Sequence, residues 1–166
     1  MTEQQLEARV LAAHEGLILQ SVGQVRNRFM IDSPETDGRF GLLQHIFEPK
    51  ALAAPMHRHH DEDEYTYVLT GRIGAILGGQ EVVGGPGDLI FKPRGQWHTF
   101  WNAGDEPAVV MEIISPGGLE EFFKSFGELT GPVDPMELKE KAAAIAHVDI
   151  DLDATFPIIQ RHGLVF

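Results

Sequence analysis

The alternation of apolar and polar positions divides the chain into three textures. Leu6, Val10 and Ala13 recur at helical spacing, Thr2 is placed to cap them and Gln5 completes a capping box, so a short N-terminal helix is predicted over residues 3–14. From Gly23 to Gly118 the period shortens. RFGLLQHIF, EYTYVLTG, RIGAILGG, QEVVGG, DLIFKP, QWHTFWN and AVVMEIIS are short β-prone runs, parted by the turn-forming SPETDG, LGG, GGPG and NAGDEP. Strands at this spacing predict a sandwich or barrel, and the missing helical patterns between them argue against a parallel α/β sheet. After Ser115 the helical period returns: Leu119, Phe122, Phe123 and Phe126 form a stripe opposite Glu120, Glu121 and Lys124, which should dock on the strands. A second helix is predicted from Pro135 to about Ala146, with Asp134 as its cap, Pro in its first turn and Glu137 in a capping-box position. The tail FPIIQRHGLVF is apolar and is expected to pack or to swap onto a partner. The expected division is a helical segment over 1–20, a barrel over 21–116, and two helices with a tail over 117–166.

Composition narrows the chemistry. A chain of 166 residues fits one domain with a real core. Cysteine is absent, which removes thiol catalysis, thiolate ligands and disulfides together, so a metal would have to be held by imidazole and carboxylate. That composition fits a reducing cytoplasm, and the acidic, amphipathic start lacks the features of a secretory signal. No apolar run approaches membrane-spanning length. Thirteen basic residues against 25 acidic ones give a net charge of −12, which disfavours nucleic acid and anionic membrane surfaces as partners.

Three of the eight histidines fall within His57–His60. Side chains alternate faces along a strand, so His57 and His59 project to one side and Met56, Arg58 and His60 to the other. Two imidazoles on one face are half a metal site. Glu64 lies at an odd offset from His59, so the chain must bend through the polar His60-Asp61-Glu62-Asp63 to bring Glu64 beside them from the start of a neighbouring strand. His98, within QWHTFWN, can supply a fourth ligand from across the barrel. His60 reads as a solvated turn histidine, and Glu62 shares the parity of Glu64 and is an alternative ligand or pocket residue.

These residues resemble the cupins over the stretch from His57 to Asn102. The first cupin motif, His-x-His, four residues, Glu, six residues, Gly, is met by His57, His59, Glu64 and Gly71, although Ala51 stands where the family usually begins with Gly. The second motif is met throughout by Gly87, Pro93, Gly95, His98 and Asn102. The resemblance implies an all-β fold of cupin type, a double-stranded β-helix or jelly-roll barrel, here with a short N-terminal helix and two C-terminal helices. It also implies one divalent transition metal per chain, held by His57, His59, Glu64 and His98. Iron, manganese, nickel, copper, cobalt and zinc all suit three imidazoles and one carboxylate.

Parity with the ligands assigns Thr66 and Val68, then Phe100 and Asn102, to the lining of an apolar substrate pocket, with Asn102 expected rather to close the turn after its strand. Trp97 and Trp101, with Tyr65 and Tyr67, have the opposite parity and are expected to pack under the helices or at a dimer interface. One of Gln44 and His45 should face inward; an inward His45 would be a proton shuttle, but a surface position is the expectation. Arg72 and Arg94 lie beside turns, and no Arg or Lys cluster for a phosphosugar is evident. Similar cupins dioxygenate, isomerise, decarboxylate or merely bind, and fold does not choose among them. The first expectation is a metal-dependent oxidoreductase, a quercetinase-like dioxygenase acting on a small aromatic or enolic compound, with Glu64 doubling as general base. A non-catalytic small-molecule binder and a non-redox isomerase or lyase are the alternatives. A homodimer is expected, because small barrels often cover an edge or an apolar tail with a second copy.

Overall fold

The computed structural model describes residues 7–127 and 133–166. Two antiparallel sheets face each other as a jelly-roll barrel. The first has the order β1 (Leu17–Gln20), β2 (Val25–Ile31), β3 (Gly41–Phe47), β10 (Ala108–Ser115), β5 (Asp63–Thr70), β8 (Leu89–Lys92). The second has the order β11 (Val148–Asp151), β4 (Met56–His59), β9 (His98–Asn102), β6 (Ile73–Leu77), β7 (Gln80–Gly84). The expected all-β cupin-type fold is therefore present. Among the described residues three helices follow β10: α1 (Leu119–Lys124), α2 (Pro135–Ile145) and α3 (Leu152–His162).

The strands obey the period-2 rule wherever one face meets the core. In β3 the residues Gly41, Leu43, His45 and Phe47 are buried and those between them are not, and β10 repeats this with Ala108, Val110, Glu112 and Ile114. Phe47, Val68, Ile73, Phe100 and Val110 fill one end of the barrel. At the other end Leu43 and Ile114 pack against Leu119, Phe122 and Phe126 of the α1 region and Leu138 of α2, which form a roof. The aromatic stripe after Ser115 docks as expected. Asp134 caps α2 by accepting hydrogen bonds from the backbone N–H groups of Met136 and Glu137.

Two glycines are set by close approach or backbone sign. Gly71, the last residue of the first motif, has φ +81°, and a Cβ there would meet Ala108. Gly74 on β6 lies so close to the indole of Trp101 that any side chain would displace it.

Two expectations are corrected. Residues 1–6 of the expected N-terminal helix lie outside the described residues, and residues 7–14 are not helical. Val10 of its apolar stripe is 89% exposed, so no burial rewards a helix there. The buried Arg28 takes the carbonyl oxygens of Ala12 and Glu15, tying this segment to β2 by side chain instead. At the other end two helices were expected and three are found among the described residues. The segment after α2 contributes β11, which pairs with β4 through Val148–His59 and Ile150–His57, and α3, which runs into the apolar tail and holds Pro157 in its interior. A proline there forfeits a helical hydrogen bond. Burial of Ile158 beside Trp101 and Leu52 offsets that loss. The expected packing of Trp101 under a helix is met by α3; Trp97 is only partly buried, with Arg58 5.0 Å above its ring, while Tyr65 stacks on Phe91 and Tyr67 is exposed.

Candidate metal centre

His57, His59, Glu64 and His98 converge as the spacing predicts: their four donor atoms lie within 4.8 Å of one another, and all four residues are buried. Glu64 Oε2 is the hub, 3.0 Å from Nε2 of His98 and 3.3 Å from Nε2 of His59. The route by which they meet differs from the sequence expectation. His98 does not come from across the barrel: it stands directly opposite His57 on the adjacent strand β9. Glu64 is the residue from the facing sheet, because the polar bend after His59 is the corner where the chain leaves one sheet for the other. That corner is fixed by charge. Arg94 grips both carboxylate oxygens of Asp63 and donates its backbone N–H to one of them, and the N–H of Gly95 donates to the carbonyl of His59 at 2.7 Å. The turn of the second motif is thereby locked to the corner of the first.

The donor chemistry fits a divalent cation. Nδ1–H of His57 donates to the carbonyl of Pro55 at 2.7 Å and that of His98 to the carbonyl of Gln96 at 3.0 Å, which leaves both Nε2 lone pairs aimed at the centre. A bare Nε2 facing a carboxylate oxygen at hydrogen-bond distance is repulsive unless a cation lies between them. Both ring nitrogens of His59 are buried without a hydrogen bond among the described residues. In the metal-free protein burial opposes charge on His59, but Glu64 and then Glu62 outweigh it and raise its pKa to about 9, so a proton takes the cation's place. Burial, and then the neighbouring His98 and His59, hold His57 well below the ordinary imidazole range. Burial would raise Glu64, yet Lys92 and His59 keep it well below the usual carboxylate range.

Other predicted residues divide. Glu62 does not join the four donors; it stands behind His59, its Oε2 3.4 Å from Nδ1. His60 is exposed and pairs with Asp149, as a turn histidine should. Phe100 lines the cavity, but Thr66, Val68 and Asn102 do not. Thr66 donates its hydroxyl to Glu112 at 2.6 Å, and Val68 is sealed into the core beneath. Asn102 closes its turn, donating to the carbonyls of Glu48 and Glu106 and accepting from the N–H of Gly104. Equal parity puts a residue on the inner face; depth along the barrel decides whether it reaches the cavity.

The cavity opens from the metal ligands toward the helices and is walled by Val22, Leu119, Phe122, Phe123, Leu138 and Ile150 among others. Its free space is about 60 Å³. His45 belongs to its wall, contrary to the expectation of a surface position: it is 5% exposed, on the buried face of β3 with Leu43 and Phe47. Burial, then the charge of Lys92, lower its pKa to about 3, which also makes it a poor proton shuttle.

A buried charge network went unanticipated. Lys92 is fully buried, with Nζ 3.1 Å from Glu64 and 2.9 Å from Glu112. Burial lowers the pKa of a lysine, but the two carboxylates prevail and raise it. Burial raises the pKa of Glu112 to about 7 against the pull of Lys92. A glutamate in the middle of the apolar run AVVMEIIS, and a lysine two positions after the inward Ile90, were the available signals.

Comparison with known proteins agrees with this geometry. Residues 44–114 match the family model of the cupin domain. The chain is 34% identical over 76 residues to the tetracenomycin polyketide synthase protein TcmJ of Streptomyces glaucescens, covering 46% of this chain and 51% of that protein. It is 28% identical over 129 residues to quercetin 2,3-dioxygenase of Bacillus subtilis (strain 168), covering 77% of this chain and 37% of the dioxygenase. The chain thus spans about half or less of the length of these curated relatives. Among solved structures, the polyketide cyclase RemF of Streptomyces resistomycificus superposes with a TM-score of 0.57 at 26% identity, over 66% of this chain and 80% of that one. With both sequence motifs, the two-sheet barrel and the converging His-His-Glu-His set in place, residues 44–114 match the cupin domain in sequence, fold and donor set alike.

Proposed function

We propose that this protein is a metal-dependent enzyme that takes a small phenolic or enolic substrate and that its reaction is dioxygenation. The observation carrying the reading is the junction of a four-donor metal centre with an apolar, phenylalanine-walled cavity. His57, His59, Glu64 and His98 would hold the ion, which supplies Lewis acidity toward a substrate oxygen and, if redox-active, electrons to dioxygen. The protein's own residues do the rest. The apolar walls exclude water and hold a flat ring. Glu64 Oε2 is the carboxylate oxygen placed to accept a substrate proton, and Lys92 beside it favours its charged form, which makes it a weak base. The free space of about 60 Å³ is several times the roughly 10–15 Å³ one water needs. That is room for a few waters, well below the roughly 150 Å³ of a cavity that takes benzene, so even a single ring requires the roof phenylalanines to give way.

Similarity to quercetin 2,3-dioxygenase supports the oxidative reading. A second reading, ring closure of an enolisable polyketone without oxygen, is favoured by the likeness to TcmJ and to the cyclase RemF. Protein purified without chelator, analysed for metal and then offered catechol, quercetin and a β-diketone, separates the two. Oxygen consumption stoichiometric with substrate loss supports dioxygenation. Equal turnover under argon overturns it in favour of the second reading, and tight binding with no turnover reduces the protein to a ligand carrier.

The reading extends to a homodimer. Tyr67, Leu89, Phe91 and Ile113 are exposed on the outer side of neighbouring strands β8, β5 and β10, an apolar face suited to a second copy.

A further inference from the structure

His45 is a polar residue of the cavity wall that the four-donor set does not use. Apart from the metal ligands and Ser21, the other cavity side chains are aliphatic or aromatic. Its orientation is strongly determined. Nδ1 lies 2.7 Å from Oδ1 of Asn27, itself 1% exposed; with the amide in this orientation Nδ1–H donates to it and Nε2 presents a lone pair. Phe47, Phe100 and Phe123 surround the imidazole with ring centroids 5.8–6.1 Å away, fixing its plane. The nearest carboxylate oxygen, on Glu112, is 3.9 Å from Nε2, beyond hydrogen-bond reach, and that oxygen already accepts from Thr66. Nε2 is thus an acceptor without a hydrogen-bond partner among the described residues, set between the aromatic wall and the buried Lys92, Glu64 and Glu112.

We propose that His45 selects the substrate, accepting a hydrogen bond from a second hydroxyl or enol O–H while the first oxygen faces His57, His59, Glu64 and His98. This rests on the proposed function and deepens it: the preferred ligand class is a small ring or enol with two oxygen functions, one for the centre and one for His45. A neutral imidazole suits the task. It remains an acceptor at ordinary pH, because burial opposes its protonation. An acceptor enclosed in this way discriminates strongly, since a ligand lacking the O–H leaves Nε2 desolvated and unpaired.

The test is calorimetric titration of the zinc-loaded protein, which is redox-silent, with phenol, catechol and resorcinol. His45→Phe keeps the ring and its aromatic neighbours but removes the acceptor; His45→Gln keeps an acceptor. Loss of one such hydrogen bond is expected to weaken the better-bound diol about tenfold in His45→Phe, with phenol changed less than about twofold. His45→Gln should recover most of the diol affinity. Zinc content and thermal midpoint of each variant show whether the centre and the fold survive; should His45→Phe not fold, the diol-to-phenol affinity ratio in His45→Gln against that in Asn27→Ala, which frees the ring to turn, carries the test, with a ratio preserved by the first and lowered by the second expected. Equal weakening of phenol and diols in His45→Phe, or unchanged diol affinity, overturns the assignment while leaving the substrate reading intact. If the zinc-loaded wild type binds none of the three probes, the substrate reading fails and His45's role fails with it.

Discussion

At the scale of single residues, the decisive feature is how much ionisable chemistry is buried in one place. Lys92 lies against two carboxylates at once, and its removal would break both pairs, leaving Glu64 with protonated His59 alone and forcing Glu112 to take up a proton. Lys92→Met is therefore expected to cost about 3–5 kcal/mol of folding stability in the metal-free protein, measured by urea denaturation. The loss should be smaller in zinc-loaded protein, where the ion compensates Glu64. His45 gives a pH signature. Burial, with Lys92 adding to it, lowers its pKa from 6.5 to about 3, so between those values the unfolded chain binds a proton that the folded one does not. Its contribution is fully present above pH 6.5 and is lost as pH falls, by up to about 1.4 kcal/mol per unit. Lys92, Glu64 and Glu112 are the charged groups facing it. Urea midpoints followed from neutral pH downward should fall less steeply for His45→Gln than for wild type; parallel curves would mean that the buried imidazole is not neutral.

At the scale of elements, each strand delivers its residue because something outside the site holds it there. The corner between β4 and β5 is clamped by Asp63 and Arg94, and β4 is flanked by β9 on one side and by β11 from the segment after α2 on the other. Strand β9 is in turn fixed by Trp101, whose indole lies against the backbone of Gly74 on one side and α3 on the other. Gly74→Ala should push the indole out of this slot and cost about 1–3 kcal/mol through overpacking. A shift in tryptophan emission together with a lower thermal midpoint is the expected result. Because His98 shares β9 with Trp101, zinc affinity should fall in the same variant.

At the scale of the whole molecule, the barrel closes the site on all sides but one, and the roof of α1 and α2 covers that side with apolar side chains. Among the described residues no helix is long and apolar enough to cross a membrane. The outward face of Tyr67, Leu89, Phe91 and Ile113 carries the dimer expectation. Light scattering should give twice the 18.4 kDa chain mass, and Leu89→Lys with Phe91→Lys should return it to the monomer value without altering zinc content. A monomeric wild type would remove the dimer from the account.

What the sequence determined by itself was the donor set and the barrel. Local alternation requires no knowledge of distant partners and pairs His57 with His59, while the resemblance to the cupin motifs supplied Glu64 and His98, so the donor set was legible. Tertiary structure decided everything that depends on which strands face each other. It made His98 a neighbour and Glu64 the residue from the facing sheet, turned His45 inward, and buried Lys92 against Glu112. It also drew β11 and α3 from the segment after α2, whose proline spoke against a helix, and denied one to residues 7–14, where Arg28 offers the backbone other partners. Hydrophobic period is a property of a segment, whereas depth in a barrel, pairing of buried charges and the choice between helix and docked coil are settled by contacts far apart in the chain.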